Sequence, residues 1–150
     1  MIKFSCEKVF LQNAIAVTSR AVAQKSSIPA LEGLLIHADQ QLTISGYNMQ
    51  TGIRTNVFAN VVEGGDIVLN ARLFGDIIRR MPDDMITFTA DEKMMVHVSC
   101  GDADFDIRGR SAADYPELPE VEDEYAVSMK QSVLRRMIEE VAFAVSTNES

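Results

Sequence analysis

The 150-residue sequence contains no tryptophan, two cysteines and four prolines, and each scarcity removes a class of explanation. Cys6 and Cys100 stand far apart, outside any CxxC or Cys/His cluster, so neither a disulfide framework nor a zinc site is expected and a reducing compartment suits the chain. No stretch approaches the roughly 18 consecutive apolar residues of a membrane helix. In the opening MIKFSCEKVFLQNAIAV, Glu7, Lys8, Gln12 and Asn13 interrupt the apolar segment that a secretory leader needs, so a soluble, cytoplasmic protein with no membrane partner is expected. A glycine-rich phosphate loop is missing too. Gly64 and Gly65 precede a strand-like run and no GK[ST] follows, which argues against nucleotide hydrolysis. A basic surplus is also lacking: the net charge of -8 speaks, at face value, against a nucleic-acid partner.

What is present is a pattern of alternating periods. With 47% hydrophobic residues, a chain of this length can bury one full core and part of another. The spacing predicts a strand over 2–6 and then a helix from about Glu7 to Val22, with Val9, Phe10, Asn13, Ala14, Val17 and Ala21 on one stripe. Pro29 and the serines of KSSIPAL mark a connector. LEGLLIHAD, QLTISGYN and TGIRTNVFANVV read as three strands joined by short turns. The order then repeats: DIVLN, a helix over 71–81 with Leu73, Phe74, Ile77, Ile78 and Met81 on its stripe, and the strands MITFTA, MMVHVS and ADFDIR. Aligning FSCEKVF with VLNARLF sets Lys8 over Arg72 and Phe10 over Phe74. A third copy begins after an acidic connector at 111–124, with a strand from Tyr125 and a helix at 130–140. It cannot close a core of its own, so residues 1–110 read as one domain and 125–150 as the start of an incomplete second, in a fragment of a longer protein.

Mapping the charges reverses the first impression. Helical segments at 7–25, 71–81 and 130–140 hold nine basic residues against four acidic ones, leaving five basic and eighteen acidic residues for the strands and loops. Helices packed by their apolar stripes would turn Arg20, Lys25, Arg72, Arg79 and Arg80 outward together, as a surface suited to a polyanion. The plainer alternative is that helices tolerate Lys and Arg well and that this is an ordinary solvated face.

Other constellations are weaker. Asp102, Asp104 and Asp106 alternate on one strand face but lack the glycine and distal glutamate of a calcium loop, so no metal is expected; an edge strand kept soluble by acids is simpler. His37 and His97 lie in strands without a nucleophile motif, and Asp114 falls in a proline-containing linker. No catalytic residue and no cofactor is expected.

Four segments, MIKFSCEKVFLQNA, IPALEGLLI, VLNARLFGDIIRRMP and DFDIRGRSAADYPELP, together resemble the bacterial DNA polymerase III sliding clamp (β subunit) family. The resemblance covers the whole chain. It implies an α+β DNA-clamp fold, a β-α-β-β-β unit repeated twice with two helices on a curved antiparallel sheet. In that family two chains close head to tail into a ring around duplex DNA, with helices lining the hole. By this likeness Lys25, Arg72 and Arg79 match basic DNA-contacting positions and Asn148 a polar one; the family commonly has arginine at the first of these and glutamine at the last. Arg20 and Arg80 would extend the surface. The edge strand carrying Phe105 and Ile107 would meet the neighbouring chain, and the replicative polymerase and clamp loader would dock on domains not present here. The implied function is a non-catalytic processivity factor. The alternative is an acidic protein-interaction module that does not bind DNA, and a more distant one is an enzyme built on Asp102, Asp104 or Asp114.

Overall fold

In the computed structural model, which describes residues 1–119 and 126–146, the β-α-β-β-β order occurs twice in the first 108 residues. Strand β1 (Ile2–Glu7) alternates buried Ile2, Phe4 and Cys6 with outward residues, as a strand covered on one face must. It leads straight into α1 (Lys8–Thr18). There the Thr18 hydroxyl donates to the Ala14 carbonyl at 2.7 Å, a local bond that competes with helix continuation, and the chain tightens into a 3-10 turn (Ser19–Ala21) before Val22 extends. Strands β2 (Gly33–Ala38), β3 (Leu42–Tyr47) and β4 (Gly52–Val57) form the first meander. A short β5 (Asn60–Glu63) follows, then β6 (Gly65–Asn70), α2 (Ala71–Arg80) and the second meander of β7 (Met85–Ala90), β8 (Met95–Cys100) and β9 (Ala103–Arg108).

The strands divide into two antiparallel sheets, ordered β5-β1-β7-β8-β9 and β4-β3-β2-β6. Each unit lends its first strand to the other unit's meander: β1 pairs with β7, setting Phe4 opposite Phe88, while β6 pairs with β2, setting Ile67 opposite Ile36. Neither repeat can therefore complete a sheet alone. Both sheets and the inner faces of both helices share one core, in which Phe4 stacks on Phe88 at 4.5 Å between centroids and Phe74 meets Phe88 edge-on. Gly46 lets α1 sit directly on β3, since a Cβ there would stand 2.1 Å from the Thr18 carbonyl oxygen.

Three sequence expectations need correction. The buried stripe of α1 is Leu11, Ala14, Ile15 and Thr18, whereas Val9, Phe10 and Val17 face outward at 53, 41 and 47% exposure. The repeat register is also one residue away from the expected one. Glu7 and Asn70 occupy the two N-cap positions, which places Leu11, Ala14, Ile15 and Thr18 over Phe74, Ile77, Ile78 and Met81. Phe10 then matches the exposed Leu73, and Lys8 matches Ala71 instead of Arg72. Finally, TGIRTNVFANVV is two strands, with Phe58 and Ala59 turning the chain from β4 onto β5.

The first compact unit runs through Leu118, past the expected boundary at 110. Arg110 forms a β-bridge with Val68, and Tyr115 is buried beside Tyr47 and Leu31 with its hydroxyl directed at the Ser45 carbonyl, 3.4 Å away. The start of the acidic connector thus belongs to the first domain. In the second unit, residues 126–130 form no strand, and α3 (Gln131–Val141) leaves Val133, Leu134, Met137 and Ile138 exposed. Among the described residues, the apolar side of that amphipathic helix is left exposed.

Candidate nucleic-acid interface

Helix α2 begins where Asn70 Oδ1 accepts the Leu73 amide at 2.9 Å, a side-chain cap of the favoured kind. Ala71, Phe74, Ile77 and Ile78 anchor its inner face. Because a helix turns through 3.6 residues, Arg72, Arg79 and Arg80 are left outward, and all three are exposed. Arg79 and Arg80 lie in the last turn, where the helix dipole favours cations. Arg72 lies in the first turn, where the dipole opposes it, so helix stability does not account for its presence. Arg79 pairs with Asp76 one turn back, an exposed contact that contributes little and leaves the arginine on the surface.

The other helix does not match this. Of the basic residues assigned to its segment, Lys8 is 8% exposed, and its Nζ donates to the Met81 carbonyl at 2.6 Å and to Asp83 Oδ1 at 2.8 Å. It is a structural cation capping the end of α2. The outward face of α1 is otherwise Val9, Phe10, Gln12, Asn13, Ala16 and Val17, with no charge. The expected set of three equally basic helices is thereby corrected. Arg20 sits on the 3-10 turn and Lys25 on the connector beyond it; both are exposed, and neither is on the α-helix proper.

The helices run antiparallel, since Lys8 at the start of α1 meets Met81 at the end of α2 while Ser19 shares a cleft with Ala71 and Arg72. Gln12, Ala16 and Ser19 of one side face Arg72, Gly75 and Arg79 of the other across a shallow groove of about 330 Å³. Arg72 also lines the next depression with Ser19, Gln24 and Glu32, the segment that carries Arg20 and Lys25. Arg72 and Arg79 are thus brought together on one face, with Arg80 beside them in sequence. Asn148 lies outside the described residues. On α3, Arg135 and Arg136 pair with Glu139 and Glu140 one turn on, which neutralises them locally.

Strand β9 is the edge of its sheet, as its sequence suggests. Phe105 is 39% exposed and Ile107 only 7%, with Ile107 packed into the domain's own core. Asp102, Asp104 and Asp106 are all exposed, and Asp106 pairs with His97 at 2.9 Å across the ladder. His37 pairs likewise with Asp66. Among the described residues, no group of three or more His, Cys, Asp or Glu side chains is placed to hold a metal ion, and no helix is long and apolar enough to cross a membrane. Burial pushes the Cys6 thiol up to about 12, which makes it a poor nucleophile.

Residues 2–119 match the model of the family described as DNA polymerase III beta subunit, N-terminal domain. The chain is 32% identical to the beta sliding clamp of Lactococcus lactis over 158 aligned residues, covering 100% of this chain and 42% of that protein. It superimposes on the DNA polymerase beta subunit of Streptococcus pyogenes with a TM-score of 0.88 at 31% identity, covering 99% of this chain and 41% of that one. On the Bacillus subtilis DNA polymerase sliding clamp the TM-score is 0.89 at 26% identity, covering 99% and 42%. The chain therefore spans about two fifths of the length of these relatives.

Proposed function

Because the chain belongs to the DNA polymerase III beta subunit family, whose N-terminal domain it matches, we propose that it supplies the first domain of a cytoplasmic, ring-forming sliding clamp. In this reading the complete protein encircles duplex DNA without regard to sequence, closes head to tail with a second copy, and tethers the replicative polymerase. It performs no chemistry and needs no cofactor. Polymerase and clamp loader dock on parts of the ring beyond this chain.

The observation that carries the reading is the outward face of α2. Arg72, Arg79 and Arg80 stand exposed on one helix, with the uncharged outer face of α1 beside them and the acidic residues Asp76 and Glu32 nearby. Guanidinium groups that contact phosphates alone give affinity without sequence preference, which allows sliding. Arg20 and Lys25 extend the surface at the far end of α1, and Asn148 is assigned to it from the resemblance alone. For the ring closure, β9 contributes its free backbone edge and Phe105, with Ile107 holding the strand from inside.

Titrating two duplexes of unrelated sequence at several salt concentrations tests this. Equal affinities that fall linearly on a log-log plot against salt are expected. Binding that discriminates between the sequences, or that ignores salt, would remove the DNA-facing role and leave the acidic interaction module as the better account.

A further inference from the structure

A second basic surface lies outside the helix pair. A cleft of about 360 Å³ is bounded by the β7–β8 turn, the end of β9 and the start of the connector, and its lining includes Lys93, Arg108, Arg110, Ser111 and Asp114. It shares no residue with the groove between the helices. Outside the segments 7–25, 71–81 and 130–140 the chain is strongly acidic and holds five basic residues, Lys3, Arg54, Lys93, Arg108 and Arg110, three of which converge here. Among the described residues, none of the three cations forms an ion pair. The lining of the cleft holds a single carboxylate, Asp114.

The frame beneath the cations is fixed. The Gly109 amide donates to the Met94 carbonyl at 2.8 Å, and Arg110 and Val68 exchange backbone bonds at 2.8 and 3.0 Å. A Cβ at Gly109 would stand 2.5 Å from Ile67 Cδ1, so this backbone rests on the core. The Lys93 amide is held by Asp91 Oδ1 at 2.9 Å, and Met94 is fixed in the left-handed region, with φ of 62°, by its amide bond to the Asp91 carbonyl. The Ser111 Oγ accepts the Ala113 amide, which leaves its own proton to donate.

We propose that this cleft binds a phosphate group. Two guanidinium forks, one ammonium and one hydroxyl match the several acceptor oxygens of a phosphate, and because their backbones are already ordered the entropic cost of gathering them is reduced. Asp114 lowers the net charge of the cleft and so sets the affinity. The phosphate belongs either to a nucleic-acid strand passing over this face or to a small free compound.

The test is a titration of the 150-residue chain at low ionic strength, following backbone amide resonances by NMR, with inorganic phosphate in one arm and a short single-stranded oligonucleotide in the other. Phosphate is expected to move the amides of Lys93, Met94 and residues 108–111. The double variant Arg108→Ala/Arg110→Ala should weaken binding by about tenfold or more, the loss of at least one charge-assisted bond. Asp114→Asn should tighten it severalfold, an opposite sign that general destabilisation does not produce. Shifts confined to α2, or an Asp114→Asn variant no tighter than wild type, would overturn the proposal. Saturation of the same amides at far lower oligonucleotide than phosphate concentration identifies a nucleic-acid strand as the source; saturation by phosphate alone identifies a small compound.

Discussion

Helices α1 and α2 occupy equivalent places in the two repeats and bury the same four positions, yet they show solvent different surfaces. Leu11, Ala14, Ile15 and Thr18 lie over Phe74, Ile77, Ile78 and Met81, while outside, Val9, Ala16 and Val17 lie over Arg72, Arg79 and Arg80. The inner positions answer to a shared core, where a change of one methylene is felt. The outer positions answer to whatever approaches from solvent. The basic charge therefore has to be located residue by residue on the outside, and the repeat alone places it wrongly.

The comparison is most severely tested in the core. Phe74→Ala is expected to cost about 3–5 kcal/mol and Leu11→Ala about 2–5 kcal/mol in urea denaturation. If either were nearly free, the two helices would not share one core. A second contrast is in the preceding strands, where unit one has Cys6 at the place of Leu69. Burial pushes the folded Cys6 thiol up to about 12, from 9 for a free one. Since the folded value is raised, the stabilisation is fully present below pH 9 and is lost as pH climbs toward 12, by at most about 4 kcal/mol. Cys6→Ala should flatten that part of the stability curve, and an unchanged alkaline slope would show that other groups govern it.

Smaller effects separate the remaining positions. Lys8→Ala removes the buried bonds to Met81 and Asp83 and should cost about 2 kcal/mol, whereas Asp83→Asn, on the exposed partner, should cost under about 1 kcal/mol. Equal costs would mean that the ion pair matters more than the carbonyl. Arg72→Ala and Arg79→Ala should change stability by less than about 0.5 kcal/mol while each lowers the salt slope of duplex binding by about 1. Ala16→Arg, at the place that corresponds to Arg79, should raise that slope. Without that gain, α1 would not face the DNA.

Much of the fold was legible in the sequence because alternation and turn residues mark the strands of the two meanders, and the α2 stripe stands out against four charged residues from Arg72 to Arg80 and beyond it Pro82. The phase of α1 was not legible. Apolar residues occupy both of its faces, and the buried face is marked by a lysine held by a carbonyl 73 positions away. The exchange of first strands between repeats, and the anchoring of Tyr115, are likewise long-range pairings that no local period reveals. Of the candidate residues, Arg72, Arg79 and Arg80 were placed on the exposed face of α2 by period and charge. Lys25 was counted with the helical segment 7–25, yet the helix loosens already at Thr18. The cleft at Lys93, Arg108 and Arg110 was invisible because its cations come from two separate segments of an otherwise acidic surface.

The most direct measurement uses a protein of the relatives' full length that begins with this chain, assembled on nicked circular duplex DNA, washed at high salt, and then challenged by linearising the circle. Retention on circles and release once an end is opened is the expected result, because a ring holds by topology after its electrostatic grip has been screened. Release from circles and linear DNA at the same salt concentration would contradict encirclement, and the arginines of α2 would then be an ordinary electrostatic patch.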